Sequence, residues 1–227
     1  DFLDPGGAAT GRLLPTGRAR DTFEIDGLGA VEVSVVDAAN PCVFVRAADL
    51  GLTGAELPAQ MEDQPQVLAQ LHAIGRHALV AAGLAPDLAA ARARSLPLIA
   101  WVAPSLAASD LSGHVIAASD ADLCVRMLSD GQPHRALPMT GSICTAVAAR
   151  IPGSVVAECA SAANREAVRL SMPSGVIHVD AAFEQRGELP HALRGSVWRT
   201  ARRLFEGRVC ISDGDPSRVT DPGTAAA

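Results

Sequence analysis

Apolar and polar residues alternate over much of the first fifty positions, which is the pattern of half-buried strands. Thr22 to Asp26 alternates, Gly27-Leu28-Gly29 has the composition of a turn, and Ala30 to Val36 alternates again. Asn40-Pro41 then breaks the chain before another extended segment, Cys42 to Arg46. Because side chains of a strand repeat every two residues, the pattern predicts a β-hairpin followed by a third strand.

The period changes to that of a helix over residues 63–83. Asp63 can cap this segment, Pro65 suits a first turn, and Gly83 suits its end. A short Ala/Arg-rich helix is predicted over 86–94. The apolar stripe of the longer helix consists of Leu68, Leu71, Gly75, Ala78, Leu79 and Ala82.

A second principal helix is predicted over Ile143 to Arg150. The segment consists of small and apolar residues and carries no charge before Arg150, which is typical of a buried helix. Thr140-Gly141-Ser142 precedes it, with Thr140 or Ser142 as candidate N-cap, and Pro152-Gly153 ends it.

The rest of the chain completes an α+β pattern. Residues 1–21 are rich in Gly, Pro and Thr and are predicted to be a linker, residues 22–211 a domain, and the polar residues 212–227 a flexible tail. A final strand pair is predicted over 195–211. Many strands with two principal helices do not form a regular βα alternation, so a doubly wound sheet is excluded. The other extended segments are Leu96 to Ala103, His114 to Ala118, Leu123 to Leu128, Val155 to Glu158, Glu166 to Ser171 and Val176 to Glu184.

Composition narrows the function classes. The 227 residues are 48% hydrophobic and 19% charged, with a net charge of −6, so we expect a globular protein that does not bind nucleic acid. No apolar run reaches the ~18 residues of a membrane helix, and no secretory signal is found. The five cysteines form no CxxC pair and the six histidines no metal-binding spacing, which predicts a cytoplasmic protein without disulfides or a metal site.

All 19 basic residues are arginines, and the chain contains no lysine. A P-loop lysine, a Schiff base and a lysine base or nucleophile are therefore excluded for this chain alone. Any proton transfer that needs a lysine would require a residue from outside this sequence.

The strongest local signal is the segment from Met139 to Ala146. Thr140, Gly141 and Ser142 at the start of a helix can hold a carboxylate, because free N–H groups and the helix dipole converge there. An ordinary capped core helix has the same pattern. Cys144 would be either a thiolate activated by the helix or, one turn in, a small packing residue.

Three further segments are candidate binding groups. Asn40 lies at a strand end, where an Asn either caps a turn or contacts a ligand. Ser174 and Gly175, in Pro173-Ser174-Gly175, form either a plain hairpin turn or a binding loop. His134, followed by Arg135, would either meet an acidic substrate or be exposed on the surface.

Several motifs, in their order along the chain, resemble the PrpF family. The resemblance runs from residue 1 to about 211. The motifs are Phe2-Leu3-Asp4-Pro5, Thr10-Gly11, Leu14-Pro15-Thr16-Gly17, Val35 to Arg46 followed by Asp49-Leu50-Gly51, Thr140-Gly141-Ser142, Ile151-Pro152-Gly153, Pro173-Ser174-Gly175 and Arg202 to Gly207.

This resemblance implies a fold and an activity. The family covers 2-methylaconitate, 3-methylitaconate and 4-oxalomesaconate isomerases or tautomerases, which are similar to diaminopimelate epimerase. It implies an α+β domain whose mostly antiparallel sheet wraps around a central buried helix. The implied activity is a cofactor-independent 1,3-proton shift on an unsaturated di- or tricarboxylate, with the helix N-terminus binding a carboxylate. A homodimer is compatible with the resemblance.

Residue roles carry over only at matching positions. The resemblance implies substrate contacts for Thr140, Gly141 and Ser142, for Asn40 and for the Pro173-Ser174-Gly175 turn, although Met172 stands where a His is usual. Epimerases have a catalytic Cys where this chain has Thr140, which disfavours an amino-acid epimerase. A non-enzymatic carboxylate-binding domain of the same fold is the other alternative.

Length is the largest departure from the family. Family members run to nearly twice this length, the Phe2-Leu3-Asp4-Pro5 motif falls near their middle, and the first residue here is Asp1 rather than Met. We therefore expect the second half of such an enzyme, with its catalytic base and acid in a first domain.

Overall fold

The computed structural model describes residues 1–95, 97–160, 167–186, 189–198 and 202–207. The helices are α1 (Pro58–Glu62), α2 (Pro65–Ala81), α3 (Leu88–Ala91), α4 (Met139–Ala148) and α5 (Val155–Cys159). The strands are β1 (Phe2–Leu3), β2 (Asp21–Ile25), β3 (Gly29–Ala38), β4 (Asn40–Arg46), β5 (Leu98–Pro104), β6 (Ala108–Ser109), β7 (Val115–Ile116), β8 (Leu123–Ser129), β9 (Gln132–Pro133), β10 (Ala167–Met172), β11 (Gly175–Arg186) and β12 (Leu189–Val197).

One large sheet organises the described residues. Its order is β1-β12-β11-β10-β8-β5-β4-β3-β2, with β9 paired to β8. The β4–β5 and β8–β10 pairs are parallel and the other pairs are antiparallel. A mostly antiparallel sheet with few helices confirms the predicted α+β class.

The sheet wraps around α4, which packs against β3, β4, β10, β11 and β12. Every α4 residue from Gly141 to Ala148 is buried. The approach is close at two glycines. A Cβ atom at Gly195 of β12 would overlap Cγ2 of Ile143, and one at Gly141 would lie 2.6 Å from Sδ of Met127. The predicted central buried helix is therefore confirmed.

Helix α2 covers the opposite face of the sheet. It begins at Pro65 and is followed by Gly83 at φ 71°, as its sequence signals predict. Its buried residues Leu71, Ile74 and Ala78 belong to one apolar cluster with Trp101 of β5. No helix of the described residues is both long and apolar enough to cross a membrane.

The start of α4 differs from the prediction, which had Thr140 or Ser142 as N-cap. The N-cap is Pro138, with an extended ψ of 143°. The first helical hydrogen bond runs from the N–H of Ser142 to the carbonyl of Pro138 (2.8 Å), so Thr140 and Ser142 lie inside the first turn. The Ser142 hydroxyl donates to the same carbonyl (3.0 Å) and is therefore no cap.

Three extended segments were also assigned wrongly. Val155 to Glu158 forms helix α5, because Oγ of Ser154 caps it by accepting from the N–H of Ala157 (3.0 Å). The strand expected at His114 to Ala118 shrinks to the two residues of β7. The last strand is Leu189–Val197 and pairs with β11 and β1, whereas residues 202–207 have no regular structure. The remainder of the predicted 195–211 pair, and the tail, lie outside the described residues.

The first 21 residues are tied to the domain by hydrogen bonds to Asp37 of β3, a fully buried residue. Its Oδ2 accepts from the N–H of Ala9 (2.8 Å), the N–H of Thr10 (2.7 Å) and the Thr10 hydroxyl (2.8 Å). Its carbonyl accepts from Gly7 (2.7 Å) and its N–H donates to Leu13 (2.9 Å). With β1 paired to β12, this segment connects two strands from opposite sides of the sheet order.

We expect Gly195→Ala to destabilise the domain by about 1–3 kcal/mol, because the buried, branched side chain of Ile143 must move to make room. Urea unfolding followed by circular dichroism measures the change. Gly6→Ala is the matched control, since its Cβ would lie an ordinary 3.5 Å from Leu13 and its φ is not positive. Equal stability of the two variants would contradict the close packing of α4.

We expect Asp37→Ala to lower the free energy of unfolding by about 2–4 kcal/mol, because it leaves the donors of Ala9 and Thr10 without their acceptor. Thermal and urea unfolding check the value. The control is Glu24→Ala on the exposed face of β2, expected within about 0.5 kcal/mol of the parent protein. An Asp37→Ala protein as stable as this control would show that the first 21 residues are not held by that carboxylate.

Candidate functional site

The first turn of α4 is the only predicted site feature built on the central helix. Because the Ser142 N–H makes the first helical bond, the N–H groups of Met139, Thr140 and Gly141 have no carbonyl within the helix to bond. These groups and the helix dipole together favour a negative charge at this end. Thr140 is half-buried and Met139 exposed, so the turn can be reached from solvent.

The three predicted residues of this turn have different surroundings. Thr140 lies at the boundary with solvent, where a ligand held by the free N–H groups would be within reach of its hydroxyl. Gly141 is buried, with Leu98 and Met127 against its α-carbon side. Its lack of a side chain is therefore required for packing as well as for exposure of backbone. Ser142 is fully buried and its hydroxyl already bonds the Pro138 carbonyl.

Strand pairing places Asn40 at the same end of the sheet as this turn. Asn40 begins β4, and two residues later Cys42 pairs with Leu98 of β5. Leu98 is also the residue whose side chain packs at Gly141. Asn40 is half-buried, and the preceding Ala39, at φ 61°, forms the tip of the β3–β4 hairpin.

The Pro173-Ser174 turn reaches the same end of the molecule. It connects β10 to β11, with Met172 paired to Gly175 at φ 123°, and Ser174 is exposed. The N–H of Leu137, just before α4, donates to Sδ of Met172 (3.4 Å). Met172 stands where the family has a His, and here its sulfur supports the chain that enters α4.

His134 lies between β9 and α4 and is half-buried. Its N–H donates to the carbonyl of Met127 (2.8 Å). Together with Pro133 and Pro173 it lines a crevice of about 150 Å³, which also borders Arg126 and Glu56. The structure thus places the loop before α4 and the Pro173-Ser174 turn side by side, as neighbours of the α4 start.

Arg126 was missed by the sequence reasoning. It is a charged residue in the otherwise apolar β8 run, and it is only 1% exposed. Its guanidinium donates to the carbonyls of Glu56 (Nε, 2.7 Å), Val125 (Nη1, 2.9 Å) and Ser171 (Nη1, 3.0 Å). A cation within an apolar alternating segment was the available signal, because such a residue is buried only when its donors are used.

Cys144 is a packing residue rather than an activated thiolate. It is fully buried in the middle of α4, and its thiol donates to the carbonyl of Val36 (3.4 Å). The neighbouring Cys42 is also fully buried; its desolvation, then its hydrogen bond to Cys144, raises the pKa of the Cys42 thiol. Neither thiol is poised for proton transfer. The described residues contain no cluster of three or more His, Cys, Asp or Glu side chains that could hold a metal ion.

Comparison with known proteins identifies relatives. The chain is 36% identical over 216 residues to the 2-methyl-aconitate isomerase of Shewanella oneidensis, covering 93% of this chain and 54% of that protein. It is 37% identical over 215 residues to the 3-methylitaconate isomerase of Eubacterium barkeri, covering 93% and 55%. The chain thus spans about half the length of the curated relatives that it matches.

Structure comparison agrees with sequence comparison. The crystal structure of methylitaconate-delta-isomerase matches with a TM-score of 0.77 at 33% identity, over 88% of this chain and 53% of that one. The family model described as PrpF protein matches residues 1–212. The match covers nearly the whole sequence and includes every motif singled out above, and on this ground the chain belongs to the PrpF family.

Proposed function

We propose that this chain supplies the carboxylate-binding half of a cofactor-independent isomerase. The reaction is a 1,3-proton shift on an unsaturated di- or tricarboxylate of the methylaconitate, methylitaconate or oxalomesaconate type. Membership of the PrpF family and the two relatives named as isomerases support this reaction class. The finer assignment of a role to this half depends on the geometry of α4.

The observation that carries the proposal is the reachable N-terminus of a buried helix. The N–H groups of Met139, Thr140 and Gly141 have no partner within α4, and burial of the rest of the helix keeps water from screening its dipole. A substrate carboxylate accepting from two or three of them would be fixed in position. The hydroxyl of Thr140 adds a donor at the rim.

This binding mode suits the chemistry of a 1,3-proton shift. Removal of a proton from the carbon next to the double bond spreads negative charge along the conjugated system toward a carboxylate. N–H groups that already point at that carboxylate stabilise the charge as it develops and need no reorganisation. The shift changes neither oxidation state nor the number of groups, so the proposal assigns it no cofactor.

The base and the acid are not assigned to this chain. It has no lysine, and Cys42 and Cys144 are buried thiols bonded to carbonyl groups or to one another. His134, Asn40, Ser174 and Gly175 are proposed as groups that contact the substrate at the same end of the sheet. We assign the proton transfer to the part of the family fold that this sequence does not cover.

The first test separates binding from turnover. We expect the 227-residue chain alone to bind trans-aconitate, measured by calorimetry, without isomerising 2-methylaconitate, 3-methylitaconate or oxalomesaconate. The same chain joined to the remaining half of a PrpF-family enzyme should be active, as measured by the ultraviolet absorbance of the conjugated acid. Turnover by the chain alone would refute the division of roles, and binding without turnover by the joined protein would favour a non-enzymatic carboxylate-binding domain.

The second test compares two hydroxyls of the first turn. We expect Thr140→Val to weaken trans-aconitate binding by about ten-fold or more, because a hydrogen bond to a charged group is lost. Ser142→Ala is the control, since its hydroxyl is bonded to Pro138, and its binding should stay within about two-fold. A Thr140→Val protein that binds as tightly as the control would remove Thr140 from the site.

A further inference from the structure

Arg126 carries a charge that the protein leaves without a counter-ion at hydrogen-bonding distance. The partners of Nε and Nη1 are three neutral carbonyls, those of Glu56, Val125 and Ser171. Nη2 is buried and has no hydrogen-bond partner. Burial lowers the pKa of Arg126, as expected when a cation is desolvated without full compensation.

A second unpartnered polar atom lies beside it. Ser171 of β10 is fully buried, and its hydroxyl has no hydrogen-bond partner, although its carbonyl accepts from Nη1 of Arg126 (3.0 Å). Ser171 pairs with Cys124, which is two residues from Arg126 on the same face of β8. Buried polar groups are nearly always satisfied, so two adjacent unsatisfied donors indicate a place where a ligand accepts from both.

The carboxylate of Glu56 does not fill that role. Its two oxygens accept from the Thr53 N–H and hydroxyl, the Gly54 N–H and the indole of Trp101, at 2.5 to 3.2 Å. These bonds hold the pKa of Glu56 down despite its burial, which by itself raises that pKa. Glu56 is therefore a fixed anion whose oxygens are turned away, and Nη2 of Arg126 remains available.

The space next to Arg126 is continuous with the proposed binding site. The crevice of about 150 Å³ is bordered by Arg126, Pro133, His134 and Pro173. Pro133 and His134 begin the loop that enters α4, so the crevice and the first turn of α4 are at the two ends of one short segment. The volume is that of a small group and not of a whole substrate.

We propose that this crevice is a carboxylate subsite, in which Nη2 of Arg126, with the Ser171 hydroxyl and His134, holds a single carboxylate group. A carboxylate accepts several hydrogen bonds and neutralises the guanidinium, whereas a water molecule would satisfy the donors and leave the charge uncompensated. That the carboxylate belongs to the substrate, as a second group beyond the one at α4, rests on the proposed function. Two such points of attachment select di- and tricarboxylates over monocarboxylates.

The test uses formate as the smallest carboxylate and formamide as its neutral match. We expect formate, and not formamide, to raise the melting temperature of the 227-residue chain with saturation. Arg126→Lys should weaken formate and trans-aconitate binding by about ten-fold or more, because a lysine cannot bond three carbonyls and the ligand together. The matched control is Arg169→Lys on β10, whose guanidinium is paired with Asp122 at 2.8 Å; its binding should stay within about two-fold.

Folded Arg126→Lys protein that binds formate as the parent does would overturn the subsite, and so would a parent protein that treats formate and formamide alike. If Arg126→Lys does not fold, His134→Gln, in a half-buried loop, takes its place: weaker formate binding supports the subsite and unchanged binding refutes it.

Thr140→Val separates this inference from the proposed function. It should weaken trans-aconitate and leave formate unchanged. An effect of Arg126→Lys without one of Thr140→Val would refute the role of α4 and keep the subsite; the reverse result would refute the subsite and keep the role of α4.

Discussion

The close packing of α4 inside the wrapped sheet is the constraint on which the other features depend. Where Gly195 meets Ile143, and where Gly141 meets Met127, there is no space for another carbon atom without movement of a neighbour. A helix held this tightly cannot tilt or shift to satisfy its own first turn. Its unbonded N–H groups therefore stay in one place, at the end of the sheet where Asn40 and the Pro173-Ser174 turn also lie. Packing that serves stability in this way also prepares an anion-binding position, because rigid donors lose little entropy when a ligand is bound.

Local patterns predicted the elements whose formation is decided locally. The alternation around Val31 and Val33 gave β3 and its hairpin, and the proline and glycine at the two ends of α2 gave its limits within two residues. The errors arose where two local signals competed. Val155 and Val156 favour a strand by their branched side chains, but the Ser154 cap and burial against β4 and β5 make a helix there. At α4, Thr140 and Ser142 have the composition of a cap, yet Pro138 begins the helix because its fixed φ suits that position and its carbonyl accepts the first bond.

The candidate site could be predicted only in parts, because its assembly depends on long-range pairing. The resemblance to the PrpF family named Thr140, Gly141, Asn40 and the Pro173-Ser174-Gly175 turn. That they share one end of the sheet follows from the register of β4 with β5 and of β8 with β10, which no local pattern encodes. Arg126 stood out in the sequence as a charge among apolar neighbours, but its carbonyl partners come from three separate segments. A buried cation of this kind is interpretable only when the distances to those carbonyls are known.

The missing lysine has a different meaning once the fold is known. A composition bias toward arginine explains surface charge, and arginine suits the surface network in which Arg20 and Arg46 share Glu32 and Glu158. It also suits Arg126, because only a guanidinium has enough donors to bond three carbonyls and still offer another N–H. Arginine remains protonated in proteins and so cannot act as the base for a proton shift near neutral pH. The same substitution that makes this half effective at holding carboxylates therefore makes it unsuited to moving protons, and this favours an enzyme in which the two tasks belong to different halves of the fold.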